Sequence, residues 1–348
     1  MKFLKLILLL CLTGYSFGQI GGTSSFPSLN QSYSARSTAL GGSFITIKDA
    51  DVNLGISNPA LLNEQMHKQI GFSHQIQTGG VNFGMLCAAK NLTKIQGVGS
   101  LSLRYVNYGS MKETLENGTI IGDFTPADFI ISAGYGRKIK DRLSIGVQAS
   151  LLYAQYASYY SLGIGVDFAA TYENKEKQTL FTLLVKNVGT QFKGFVSKSN
   201  TMLPAEIQMA FTHKLAHAPI RFSYLAHHLN YWDLSYQTPN NSGKIDPLTG
   251  DSIQVIRANA FQKIAHHFTP QIEFLFSKNL HFRMAFDYHR REEFKLTNRP
   301  AMAGFSFGLG MYFKRFSLDY GLKIYAASGF LNGITLTTNP ANWRKTAN

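Results

Sequence analysis

Four groups of residues in this 348-residue chain have types and spacing that chemistry would use. Gly304-Phe305-Ser306-Phe307-Gly308 matches G-x-S-x-G, the pattern that presents a serine nucleophile on a sharp strand-to-helix turn. Here, however, Phe305, Phe307, Leu309, Met311 and Phe313 alternate straight through the match, which reads as a strand. Gly304, Ser306, Gly308 and Gly310 then leave room for other side chains. Histidines recur at His213 and His217, at His227-His228 and at His266-His267. Neighbours on a strand face opposite ways, so an adjacent pair does not easily chelate one ion from one face. His213 and His217 flank an expected turn, with no carboxylate or thiol close by in sequence. Asp49-Ala50-Asp51-Val52-Asn53 opens like a calcium loop, but Gly55 comes one place late and Ala60 stands where the closing Glu belongs. Cys87 lies in the apolar run Met85–Ala89 and reads as a packing residue. From these residues no catalytic, cofactor or metal site is assigned.

The chain carries the marks of export. Met1-Lys2-Phe3-Leu4-Lys5 is basic, Leu6–Leu12 is apolar, and Ser16-Phe17-Gly18 offers a small-residue cleavage point. Residues 1–18 therefore read as a signal peptide, with the mature chain beginning near Gln19. Leu10 precedes Cys11, where a lipoprotein site needs a small residue, so Cys11 leaves with the peptide. The mature chain keeps one cysteine and forms no internal disulfide. An exported chain of that kind needs a large core or a membrane to hold it. The formal charge is +14, and removing Lys2 and Lys5 leaves +12. That excess favours anionic neighbours such as lipid head groups or lipopolysaccharide. Export, and the lack of zinc-finger spacing or a long basic run, argue against nucleic acid.

Any such side chains must be positioned by strands. Past Gln19 no apolar run reaches the roughly 18 residues of a helical membrane span. Period-two patterning dominates instead. In Leu143–Tyr153 the apolar set Leu143, Ile145, Val147, Ala149, Leu151 and Tyr153 alternates with Ser144, Gly146, Gln148 and Ser150. His281–His289 and Phe316–Ile324 repeat the pattern, with full charges on the polar side. Many of these runs reach about ten residues, the length needed to cross a bilayer at a tilt. Fourteen strands are expected, near 69–76, 81–90, 96–108, 125–138, 142–156, 161–173, 178–192, 204–214, 219–236, 267–277, 280–291, 302–313, 316–326 and 330–338.

The links between them alternate in length. Short charged ones fall at Arg137–Arg142, Glu173–Lys177, Lys214–Pro219, Ser277–Leu280 and Phe313–Phe316. Longer ones fall at Gly109–Phe124, Lys193–Leu203, Thr238–His266 and Arg290–Ala301. Tyr105, Tyr108, Tyr153, Tyr156, Tyr159, Tyr231, Trp232, Tyr236, Tyr288 and Tyr325 gather toward the long-loop ends, as a membrane interface favours. The fold class expected is all-β: an antiparallel outer-membrane β-barrel of about 14 strands over residues 67–339, short turns and both termini in the periplasm, and a tail over 340–348. Arg104, Asp167, Glu273, Arg283, Asp287, Asp319 and Lys323 fall on the lumen side, and mixed signs can pair across the interior and seal it.

Residues 19–66 do not alternate. Ser34, Ala35, Thr38, Ala39, Gly41 and Gly42 allow close backbone packing, while Asp49, Asp51, Asn53, Asn58 and Pro59 impose turns. Composition alone leaves two readings open, an ordinary N-terminal arm and a hatch in the barrel mouth.

Longer stretches carry a resemblance. Ala39-Leu40-Gly41-Gly42 followed by Asn58-Pro59-Ala60 resembles the hatch of the long-chain fatty-acid transporter superfamily, and so marks Ala39, Gly41, Gly42, Asn58, Pro59 and Ala60 as hatch residues. Gly21–Phe26 with Ser34–Arg36, Tyr105–Gly109, Gly122–Thr125, Lys186–Gln191 and His228–Leu234 resemble the PorQ family of the Bacteroidota type IX secretion system. The resemblance implies an outer-membrane member of the cell-surface attachment complex. Its partners would be a PorZ-like surface protein, a PorU-like sortase, a PorV-like shuttle barrel and anionic lipopolysaccharide, with Tyr231, Trp232 and Asp233 at the docking face. The superfamily hatch implies an alternative, uptake of hydrophobic small molecules; an apolar pocket under the hatch would favour it, and a polar, filled lumen would favour anchoring. The chain departs from the usual pattern at its end, where Trp343 is the one aromatic past Thr338.

Overall fold

The alternation decides the architecture by which side it turns to solvent. In a computed structural model, which describes residues 24–196, 201–235, 258–294 and 301–344, the apolar set points out and the polar set points in. Ile145, Val147 and Leu151 are exposed on the outer wall, whereas Ser144, Gln148 and Ser150 are buried inside it. Leu101 and Leu103 face out against buried Ser100, Ser102 and Arg104 in the same way. A protein folded in water inverts this arrangement; a barrel solvated by lipid requires it. No helix of the described residues is long and apolar enough to cross a membrane.

Among the described residues, sixteen strands form. They are β1 (Ile70–Gln77), β2 (Val81–Leu92), β3 (Gly97–Asn107), β4 (Met111–Thr114), β5 (Ile120–Phe124), β6 (Ala127–Lys140), β7 (Leu143–Tyr156) and β8 (Tyr159–Asn174). They continue as β9 (Thr179–Lys193), β10 (Glu206–Lys214), β11 (Ile220–Ala226), β12 (Phe268–Phe274), β13 (Leu280–Phe286), β14 (Phe305–Tyr312), β15 (Phe316–Ile324) and β16 (Phe330–Thr338). Fourteen close into an antiparallel barrel of sequential neighbours, β1 pairing with β16 from Ile70↔Thr338 to Gln77↔Leu331. Every expected strand has its counterpart. The remaining two, β4 and β5, make a separate hairpin inside the link 109–124, where no strand was expected.

Two expectations need correction. The strand placed at 219–236 ends at Ala226, because His228 takes a left-handed turn (φ 54°) and breaks the ladder. The strand placed at 280–291 ends at Phe286, and Tyr288–Phe294 is helical. Tyr231, Trp232 and Tyr288 therefore lie beyond strand ends rather than on them. The described residues begin at the long-loop side: Ser25 donates its backbone N–H to Met202 O at 3.1 Å, beside the long link after β9. Residues 1–23, 236–257 and 295–300, which include the expected signal peptide, Tyr236 and most of the link 238–266, lie outside the described residues.

The wall is uneven in height. β6 to β9 run 14 to 16 residues, whereas β11, β12 and β13 have seven each. Over the low stretch, residues 227–235 and two short helices take the place of strand. At Asn187 (φ 58°) the β8–β9 register slips between Val166 and Phe168. The bulge turns the Asn187 amide inward, where it donates to Asn30 Oδ1 and Pro204 O. Past β16, Trp343 folds back to donate its indole N–H to Thr338 Oγ1 at 2.9 Å, with Arg315 over its ring.

Candidate functional site

The lumen is occupied by the chain's own leading segment. It enters beside β7–β9 at Ser25 and Phe26 and descends through α1 (Ala35–Ala39) and α2 (Val52–Ser57) to the short-turn rim at β1. Each step is cut to the wall. Ser34 caps α1 by accepting from Ser37 N, and Gly41 and Gly42 (φ 85° and 107°) reverse the chain after it in a conformation other residues resist. Gln271 donates from the wall to Leu40 O and Ser43 O, and Lys323 donates to Gly41 O at 2.6 Å. Gly308 and Gly321 give α1 its seat, since a side chain at either would run into Ala39 or Ala35. Asn58 accepts from Ala60 N and donates to Ile45 O at 2.6 Å. Pro59 and Ala60 then rest on Gly136 and Gly146. All six residues marked as hatch, Ala39, Gly41, Gly42, Asn58, Pro59 and Ala60, lie in this segment inside the barrel.

Two environments divide the interior. Toward the short-turn end the charges pair. Glu273, 1% exposed, accepts from Arg36 at 2.9 Å, Arg221 at 2.8 Å and Arg283 at 2.9 Å. Arg283 also pairs with Asp319, and Arg36 with Asp49 at 2.8 Å and Asp51 at 3.4 Å. The two carboxylates that suggested a calcium loop are thus committed to guanidinium, and Asp51 also caps α2. Burial raises the Asp49 carboxyl, but Arg36 and Arg221 outweigh it and hold the group below its ordinary value. Asp51 goes the other way: burial lifts it and Arg36 only partly offsets that.

Toward the long-loop end one side of the lumen is apolar. Phe26, Leu29 and Tyr33 of the leading segment pack on Phe83, Met85, Val106, Ile130, Leu152 and Ala154 of the wall, Tyr33 meeting Phe83 edge-on at 5.6 Å. Cys87 is buried in the same cluster, as a packing residue should be. Against it opens a cavity of about 270 Å³, lined by Leu29, Tyr33 and Met85 of that cluster and by the polar side chains of Arg104, Lys186, Glu206, His227, His289 and Lys323.

Histidines that are far apart in sequence converge there, His227, His228 and His289 lining the cavity and His266 and His267 behind them. His227-His228 follow β11, His266-His267 precede β12, and Asp287 and His289 follow β13, so three adjacent strand ends deliver them together. Burial pushes His227 down to about 3 and His289 to about 4, each only partly offset by Asp287. Sequence reasoning missed this corner because it placed His227-His228 in mid-strand. The available signal was histidine at the same end of consecutive strands. Ser306 is the second residue of β14, already in the ladder and paired to Ala285 and Lys323, without the strand-to-helix turn a nucleophile needs. Gly308 and Gly310 do leave room, for Ala39 and Arg283. Tyr231 and Trp232 are exposed at the long-loop end, and Asp233 pairs with Lys263 of α3 (Ala260–Ala265) at 2.6 Å.

No protein-family model matches this chain, and no curated protein does. Among solved structures, the CymD monoaromatic hydrocarbon channel superposes with a TM-score of 0.52 at 14% identity, over 88% of this chain and 97% of that one. The Pseudomonas putida toluene transporter TodX gives 0.51 at 12% identity, over 88% and 97%. The TodX deltaS2S3 mutant channel gives 0.53 at 12% identity, over 89% and 99%. At such identities the likeness fixes the architecture and leaves function to the site.

Proposed function

We propose that this chain is an outer-membrane barrel of the hydrocarbon-channel architecture, short turns to the periplasm, that admits a hydrophobic small molecule when its leading segment shifts. One observation carries this reading. The side chains of Phe26, Leu29 and Tyr33 fill an apolar lining inside the lumen, in the place a hydrophobic solute would take. The likeness to monoaromatic hydrocarbon channels over nearly the whole chain supports it. The test is uptake of a labelled long-chain fatty acid and of toluene by cells with and without the chain. A disulfide from Ser25→Cys to Met202→Cys, whose backbones already share a hydrogen bond, should pin the segment. Uptake is expected to need the chain and to fall when the disulfide closes; uptake indifferent to both would overturn the reading.

A second reading has its own observation in its favour. The short-turn half is filled, its ion pairs packed around Leu40, Phe44, Ile47, Leu54 and Leu61, and Tyr231 and Trp232 project from the long-loop end. Those features suit a closed barrel that holds a surface protein, the PorZ-like role that the type IX secretion resemblance implies, with sortase, shuttle barrel and lipopolysaccharide nearby. The positive excess suits an anionic lipid face. A tagged barrel drawn from gently solubilised membranes should bring a large surface protein with it, and a Trp232→Ala variant should bring less. Repeated recovery of the barrel alone would remove this role.

A further inference from the structure

The histidine corner holds three metal-type ligands around one point. His227 Nδ1 and His228 Nδ1 lie 2.8 Å apart, and His228 Nδ1 lies 3.4 Å from Glu206 Oε1. Ligand atoms of the three residues all fall within 4.8 Å of one another. We propose that Glu206, His227 and His228 form a binding site for a divalent transition-metal ion, zinc above all, at the long-loop end of the lumen.

The donor set argues for the class of ion. Two imidazole nitrogens and one carboxylate are what zinc takes when a fourth position stays open. Nitrogen donors select zinc, copper or nickel over calcium and magnesium, which prefer oxygen. A tetrahedral ion with bonds of about 2.0–2.1 Å spaces its ligands by about 3.3 Å. The Glu206–His228 pair already has that separation, and the two imidazoles need to open by about half an ångström. The ion would replace the hydrogen bond that now joins them.

The backbone explains how consecutive histidines reach one point. Past the end of β11 the strand rule no longer applies, and the left-handed turn at His228 swings both rings to the same side. The His228 N–H donates to Glu206 Oε1 at 3.2 Å, and His267 Nδ1 lies 2.8 Å from His227 O, which fixes the peptide. Lys186 Nζ holds the other carboxylate oxygen, Oε2, at 2.8 Å and so orients the ligand. Its positive charge weakens the site, and Gln208, which donates to Oε1 at 2.7 Å, must turn aside when the ion binds. Both side chains line the cavity, which supplies the entry path and room for a water on the fourth position.

The experiment uses the full-length barrel, folded in detergent and stripped with a chelator, titrated with Zn²⁺ by calorimetry. One equivalent should bind, and the His227→Gln/His228→Gln double variant should bind at least about tenfold more weakly. The neighbouring pair, His266 and His289, whose Nδ1 atoms lie 3.2 Å apart, provides the control: His266→Gln/His289→Gln should keep the affinity. Folding of each variant is checked by heat-modifiable mobility. Wild type needs no variant for a second readout, in which Zn²⁺ should protect His227 and His228 from carbethoxylation mapped by mass spectrometry. Absence of saturable binding, binding that survives loss of His227 and His228, or failure of zinc to protect them would each overturn the assignment.

Discussion

Glu273 is the side chain on which the filled lumen most depends. Three guanidiniums, from Arg36 of the leading segment and Arg221 and Arg283 of the wall, converge on its two oxygens. Glu273→Gln keeps the shape and removes the charge, leaving buried cations underpaired. Breaking a buried pair from one side costs about 3–5 kcal/mol, so the urea midpoint of the folded barrel should drop accordingly; an unchanged midpoint would mean the network is screened. Asp49 adds a pH dependence. Its folded value is depressed, so its contribution is present above the ordinary carboxylate value of 3.8 and is lost as pH falls through the lower folded one. Asp51, raised by burial, takes its proton first and runs the opposite way. Asp49→Asn isolates the first effect: protection of residues 35–56, measured as hydrogen exchange relative to the intrinsic rate at each pH, should fall in acid for wild type and respond less in the variant. Sequence did mark Glu273, Arg283 and Asp319 as lumen charges of mixed sign. It did not mark Arg36, which is buried from the leading segment and had no strand to reveal its direction.

At the scale of elements, the seating of α1 is a matter of two missing side chains. Gly321 lies under Ala35, and a side chain there would press on that residue's carbonyl and on Ala39 N. Gly321→Val should unseat the helix at a cost of about 1–3 kcal/mol. Exchange over residues 34–42 should rise while the tall hairpins β6–β9 stay protected; equal protection throughout would show that the helix tolerates the intrusion. The strand count was legible because fourteen alternating runs write it out locally. Strand ends were less so at Ala226 and Phe286, because His227 to Tyr231 and the alternating Phe286 and Tyr288 keep aromatic and apolar residues past the point where pairing stops. The hairpin β4–β5 was illegible because Met111–Thr114 and Ile120–Phe124 are short and exposed, with no buried face to impose a period.

For the whole molecule, a barrel packed with its own chain should pass no steady current. Planar-bilayer recordings of wild type are expected to be silent, and a variant lacking residues 24–62 to show discrete openings. Silence from both, or steady current from wild type, would place the barrier elsewhere. By itself the sequence determined that this chain makes a long-stranded, lipid-facing antiparallel barrel, because side-chain direction in a strand is set by position parity and needs no distant partner. Composition left residues 19–66 between arm and hatch, since small residues and turns have no inherent direction, and the resemblance alone pointed to a hatch. Only the tertiary structure decided that the segment runs down through the lumen. Only the closing of β10, β11, β12 and β13 side by side brought five histidines and a glutamate to one corner, because proximity across a barrel is fixed by register and by where each strand stops.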